Sequence, residues 1–314
     1  MTVRNPSSVT RPRSDTERIL DQSFLWLTRL LAYAIAAVLL AIAFQVLVQS
    51  LPAIQRFGVG FIFSQDWDPV KESYGALPMI YGTLVSALIA LLLAVPIGVG
   101  IAVFLSENFL PLQVRTVLVF LVELLAAIPS VVYGLWGIFV LIPILRGFGV
   151  WLFENFGWFP LFSTQPSGPG MLPAGVILTI MILPIITAIS RDSLASLPPE
   201  LRQASIGLGA TRWETIIRVL IPAAFSGIVG AVMLALGRAM GETMAVTMLI
   251  GNANTVNVSL LAPGNTIASL LANQFAEASG LQVAALMYAG LILFVLTFIV
   301  NIFAELVILK VKKF

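Results

Sequence analysis

The chain has 314 residues, 59% of them hydrophobic and only 10% charged, with 17 basic against 15 acidic side chains for a net charge of +2. Soluble domains carry about a quarter charged residues, so this composition excludes an ordinary water-soluble domain and offers no case for a nucleic-acid partner. With no cysteine and no histidine, disulfides, iron–sulfur clusters, thiolate nucleophiles and Ser/His/Asp triads are excluded, and the commonest metal ligand and near-neutral proton carrier is missing.

Residues 1–24 are polar, with Arg4, Arg11, Arg13 and Arg18, and read as a cytoplasmic tail. An apolar run follows at about 25–50. It is long enough to cross a ~30 Å hydrocarbon core as a helix, which takes about 20 residues. It lacks the shorter apolar region and small-residue cleavage site of a secretory signal, so an uncleaved first helix is expected. Residues 51–76 then form an extracytoplasmic loop, and residues 77–314 a core of five further spans near 77–105, 114–145, 171–192, 221–250 and 282–309. The fold class expected is therefore an all-α, six-span membrane protein. With the N-terminus inside, thirteen basic residues (Arg4, Arg11, Arg13, Arg18, Arg29, Arg115, Arg191, Arg202, Arg212, Arg218, Lys310, Lys312 and Lys313) lie on the inner side and only Arg56, Lys71 and Arg146 outside. That bias places both termini in the cytoplasm.

Prolines inside the spans, at Pro96, Pro129, Pro143 and Pro184, are tolerated where neighbouring groups re-satisfy the freed carbonyls. No internal repeat stands out. No G-x-x-x-x-G-K-[ST] is present, so the chain has no P-loop for ATP, and nothing argues for covalent catalysis. The reading narrows to transport, conduction or assembly, without enzymatic activity in this chain.

The loop between spans four and five, residues 193–220, is the most informative. Pro198 and Pro199 suit the first turn of a helix, Glu200 favours its dipole, and Gly207 or Gly209 ends it. A short helix over 199–209 is expected on the cytoplasmic face, where a plain connector would need only a few residues. Gln203, Ala204 and Ser205, then Gly209 after three residues, then Val219 to Pro222 after nine more match the spacing of E-A-A-xxx-G and I-x-L-P. This segment is similar to the signature of ABC-importer permeases, with Gln203 in place of the usual glutamate and Ser205 in place of the second alanine. Three further stretches, WDP…YGALPMIYGTL (67–84), ELLAAIPSVVYGLWG (123–137) and LGRAMGETMAVTMLIGN (236–252), resemble the phosphate-specific branch of that family.

The resemblance implies a type I importer-permease (MetI-like) fold in a bacterial inner membrane. It implies a homologous second permease, two copies of an ATPase gripping the loop through Glu200, Gln203, Ala204, Ser205, Gly207, Gly209 and Pro222, and an extracytoplasmic phosphate-binding protein. No cofactor is expected in this chain, ATP and magnesium belonging to the ATPase. A permease for sulfate or molybdate stays open, as do a secondary anion carrier or channel and a non-transporting membrane scaffold.

Arg238 and Glu242 stand four residues apart in the fifth span, which on one continuous helix would put them on one face. A lipid-facing charge costs of order 3 kcal/mol, so both are expected to face the bundle interior. Either they neutralise each other, with Glu123 of span three as a further partner, and tie helices together, or Arg238 lines an oxyanion path and Glu242 offsets its charge. Glu123, the weakest member of this set, has Arg115 as an alternative partner. Tyr81, Tyr133 and Trp136 are expected to be packing or interface aromatics.

Overall fold

A computed structural model describes residues 15–107 and 109–311. The polar tail before Asp15 and the terminal Lys312 and Lys313 lie outside the described residues. The chain divides into two units, Met1–Val48 and Gln49–Phe314. The described part of the first is the N-terminal part of one long helix, α1 (Asp15–Phe57), whose apolar side chains, Trp26, Tyr33 and Leu40 among them, are exposed.

In the second unit, α2 (Gly60–Phe63) leads into a two-stranded antiparallel hairpin, β1 (Trp67–Asp68) with β2 (Ser73–Tyr74). Asp68 Oδ1 accepts from the N–H groups of Val70 and Lys71 and closes this turn. The Lys71 ammonium holds the Asp68 carboxyl below the usual carboxylate range. Trp67, Tyr74, Phe61 and Tyr288 pack together here, and Trp67 Nε1–H donates to Gln274 Oε1 at 2.7 Å.

The core is α3 (Leu77–Ser106) against α7 (Met171–Ala195). Ala87, Ala90, Ala94 and Ala102 of α3 are buried, and small side chains let the two backbones approach closely. At Gly98 a Cβ would stand 2.9 Å from Ile186 Cγ2, so the contact has no room for a methyl group. Pro96 and Pro184 sit inside these helices without breaking them.

The third span differs from expectation. Residues 114–145 are not one helix: α4 (Leu112–Ala126) ends before Pro129, and the membrane-length helix runs from Ser130 to Phe156 as α5 (Ser130–Trp136), a π turn at Gly137–Leu141 and α6 (Ile142–Phe156). Pro129 has no N–H to donate to the carbonyl of Leu125, four residues earlier. That oxygen accepts from the Ile128 N–H at 3.4 Å and from the Tyr133 hydroxyl at 2.8 Å, so Tyr133 braces the break and is more than a packing aromatic.

The fifth span is broken twice. It comprises α9 (Arg212–Thr215), a π turn at Ile216–Leu220, α10 (Ile221–Ala223), α11 (Phe225–Gly241) and α12 (Met244–Leu249), with a 68° bend at Ala224. The short α8 (Pro199–Gly207) precedes it; α13 (Ile267–Gln274) and α14 (Leu281–Val311) complete the chain. Five described helices are long and apolar enough to span, or six with the bent pair as one.

Both π turns share a cause that sequence reading missed. Val-Leu-Ile-Pro occurs at residues 140–143 and again at 219–222. At each, the isoleucine N–H reaches back five residues, Ile142 to Gly137 and Ile221 to Ile216. The widened turn accommodates a proline that cannot donate and would clash with the carbonyl four residues back.

Candidate functional site

Arg238 lies near the middle of the fifth span. Toward one end of α11, Gly227 abuts the Ser193 side chain near the end of α7; beyond the other, Leu249 O accepts from Gly170 N at 2.9 Å, at the start of α7. Arg238 is midway in sequence between Gly227 and Leu249. Its side chain is exposed in the isolated chain and lines an open groove of about 750 Å³ with Ile185, Gly230, Met233, Leu234, Gly237 and Asn301. Among the described residues no carboxylate lies within 4 Å of its guanidinium.

The expected common face of Arg238 and Glu242 is corrected by the backbone. The helix stops at Gly241, and Glu242 takes an extended conformation, φ −67° and ψ 123°. Its Oε1 accepts from Ala245 N at 3.3 Å, so the carboxylate caps the start of α12, where negative charge favours the helix dipole. Glu123 is placed elsewhere again. Its carboxylate meets Arg191 of α7 at 3.7 Å, and Arg191 also binds Asp192 at 2.8 Å. Neither Arg115 nor Arg238 is its partner among the described ion pairs. The three acidic and basic residues named together from sequence therefore occupy three separate environments.

Asn301 escaped the sequence reading. The signal was a carboxamide inside the apolar run TFIVNIFAEL, which charge counting ignores.

The loop before span five is built as a clamp. Arg202 Nε donates to Glu107 Oε1 at 3.0 Å and Arg202 Nη2 to the Leu194 carbonyl at 3.1 Å. Through this one side chain α8 is tied to the ends of α3 and α7. Ser205 is the buried member of its row, and its hydroxyl pairs with Thr215 Oγ1 at 2.9 Å. Ser205, one of the two residues that depart from the signature, thus locks α8 to α9. Thr211 and Glu214 form a reciprocal capping box at the start of α9, and the Thr211 hydrogen bonds hold the Glu214 carboxyl below its ordinary range.

Glu200, Gln203, Ala204, Gly207 and Gly209 are exposed, as is Leu208 at 90%. Gly209 has φ +87°, a conformation that glycine adopts freely. Pro222 stands apart from these, exposed beside the 68° bend.

The Ser205–Thr215 bond carries a testable asymmetry. Ser205→Ala leaves Thr215 Oγ1 bonded to the Thr211 carbonyl at 3.1 Å, whereas Thr215→Val strands the buried Ser205 hydroxyl. An unmet buried group costs about 1–3 kcal/mol, so thermal melting of the purified protein should show the larger drop for Thr215→Val. Equal melting temperatures would remove the bond from the clamp.

Residues 94–313 match the model of the binding-protein-dependent transport system inner membrane component. The chain is 44% identical over 299 residues to the phosphate transport system permease protein PstC of Haemophilus influenzae, covering 94% of this chain and 95% of that one. It is 39% identical over 264 residues to the probable phosphate transport system permease protein PstC of Methanocaldococcus jannaschii, covering 81% and 82%. Among solved structures, a bacterial alginate ABC transporter in complex with alginate pentasaccharide-bound periplasmic protein aligns at TM-score 0.59 and 17% identity over 91% of this chain and 94% of that one. An inward-facing MetNI methionine ABC transporter aligns at TM-score 0.55 and 19% identity over 74% and 94%. The structural likeness establishes the fold, and the chain belongs to the family of binding-protein-dependent transport system inner membrane components.

Proposed function

We propose that this chain is one of two homologous permease subunits that together enclose the path of an ATP-driven inorganic phosphate importer. The observation that carries the reading is Arg238, a guanidinium midway along the fifth span that opens on a groove and has no carboxylate within 4 Å among the described residues. Lipid exposure of such a group costs of order 3 kcal/mol, and its planar fork suits the oxygens of phosphate. The name shared by the relatives supports phosphate as the anion. Sulfate and molybdate would engage the same fork and remain the nearest alternatives.

ATP and magnesium are bound on a separate ATPase, present in two copies that grip the exposed face of α8. Closure of that ATPase pair moves α8, and the Arg202 and Ser205 contacts pass the motion to the ends of α3 and α7 and the start of span five. The two permeases then open outward, where an extracytoplasmic binding protein releases phosphate. Glu242 offsets the field of Arg238 from the neighbouring turn so that the anion can leave.

Proteoliposomes holding the two permeases and the ATPase, with ATP inside and loaded binding protein outside, are expected to accumulate labelled phosphate. Accumulation driven by an ion gradient without ATP would replace this reading with a secondary carrier.

The basic-residue bias supports cytoplasmic termini, and the cysteine-free sequence makes this easy to check. Val70 and Trp158 are 94% and 80% exposed; as single cysteines in spheroplasts they should react with a membrane-impermeant maleimide. Leu208→Cys should react only after permeabilisation. Labelling of Leu208→Cys in sealed cells would invert the topology.

A further inference from the structure

We infer that Asn301 is the second polar contact for the anion in the groove of Arg238, and that its carboxamide fits this groove to an oxyanion carrying its own proton. The inference deepens the phosphate-path reading and rests on it.

Tyr288 of α14 donates its hydroxyl to the Gly58 carbonyl, near the hairpin and its aromatic cluster. Asn301 lies thirteen residues further along the same helix, roughly 20 Å at 1.5 Å per residue, still within a ~30 Å hydrocarbon core. A carboxamide carries two donors and an acceptor, and hydrocarbon satisfies none of them. Thr297, one turn earlier, meets its own need by donating to the carbonyls of Leu293 and Phe294. Asn301 has no such hydrogen bond among the described residues, and the groove of Arg238 is where it opens. The other five lining residues, Ile185, Gly230, Met233, Leu234 and Gly237, offer no polar side-chain atom. The groove therefore presents one cation and one neutral group that both donates and accepts.

That pairing has a chemical consequence. A guanidinium only donates, so it treats phosphate and sulfate alike. Phosphate near neutral pH retains at least one P–OH group, while sulfate has only acceptor oxygens. With phosphate, Asn301 Oδ1 accepts the P–OH hydrogen and Nδ2–H donates to a charged oxygen. With sulfate, Oδ1 has no hydrogen to accept. Asn301 thereby favours a protonated tetrahedral anion after the binding protein has let go.

The test uses the assembled permease–ATPase complex with Gly230→Cys in this chain, a position where a Cβ meets no atom within 4 Å. Its labelling rate with a small thiol reagent is measured with inorganic phosphate or with sulfate at equal ionic strength. Phosphate is expected to slow labelling several-fold more than sulfate. Adding Asn301→Leu should erase the difference between the two anions, while Asn301→Gln should keep most of it. Without the reporter cysteine, Asn301→Leu should lower phosphate uptake about tenfold at wild-type complex yield. Equal protection by both anions with Asn301 present, or unchanged discrimination and uptake in Asn301→Leu, would overturn the assignment while leaving Arg238 in the path. A fall in uptake that only tracks lost complex would also overturn it, making Asn301 a tie between helices. Absence of protection by either anion would remove the phosphate path itself, and the assignment with it.

Discussion

Arg238→Gln is expected to cut ATP-dependent phosphate uptake by ten- to a hundredfold while the assembled complex is recovered in normal amount. Hydrogen bonds to a charged group contribute about 1.5–3 kcal/mol, and about 1.4 kcal/mol corresponds to a factor of ten. Removing one partner of a buried ion pair ordinarily strands the other at roughly 3–5 kcal/mol, which would blur lost function with misfolding. Here that ambiguity falls away. No carboxylate lies within 4 Å of Arg238 among the described ion pairs, and Glu242 is engaged with Ala245 N at 3.3 Å. Glu242→Gln retains an oxygen that can accept that bond, so it should assemble normally. The double variant Arg238→Gln with Glu242→Gln should transport as poorly as Arg238→Gln alone. Arg238→Lys, which keeps the charge and loses the fork, should fall between. Full uptake in the double variant would end the path role of Arg238. If uptake and complex yield fall in parallel, the arginine is a structural element.

The elements that sequence reading placed best are those whose cause is local and one-dimensional. Length and apolarity located α3, α7 and α14 within a few residues, because a helix must cross a fixed thickness. The motif spacing placed α8, whose start at Pro199 and end at Gly207 follow from proline and glycine chemistry. What sequence could not deliver was continuity. Pro96 and Pro184 leave their helices whole, whereas α4 ends before Pro129, and a proline with its one freed carbonyl does not by itself tell the two outcomes apart. Nothing in the residues around Leu125 announces that Tyr133 will brace its carbonyl. The same limit undid the Arg238–Glu242 face. Four-residue spacing aligns side chains only while the helix runs on, and this one ends at Gly241. Glu123 was drawn toward Arg238 by its charge, yet it meets Arg191, a pairing set by how α4 packs on α7. Asn301 went unnoticed because a neutral amide is silent in a charge count.

Gly209→Val should uncouple the transporter, leaving the protein in the membrane but lowering uptake tenfold or more relative to ATP hydrolysed. The argument is conformational. Gly209 has φ +87°, and a Cβ placed on it meets nothing within 4 Å, so steric collision with neighbours is not at issue. A non-glycine residue held in such a region costs of order 1–3 kcal/mol, and a β-branched one is the worst suited to it. The chain escapes by turning elsewhere, and the turn is what closes α8: Gly209 N–H donates to the Ile206 carbonyl at 2.9 Å and Ala210 N–H to the Ser205 carbonyl at 3.2 Å. Losing that closure moves the exposed Leu208 and loosens the Ser205–Thr215 bond, while the buried contacts of α3 and α7 remain. A backbone cause predicts a rank order that a size or polarity cause would not. Asparagine tolerates positive φ better than alanine, and alanine better than valine, so coupling should fall in the order Gly209, Gly209→Asn, Gly209→Ala, Gly209→Val. Uptake and ATP hydrolysis, measured together in proteoliposomes, give the ratio directly. Wild-type coupling in the valine variant at normal abundance would show that the turn does not transmit the ATPase stroke, and the docking role of α8 would then have to be sought in its exposed side chains alone.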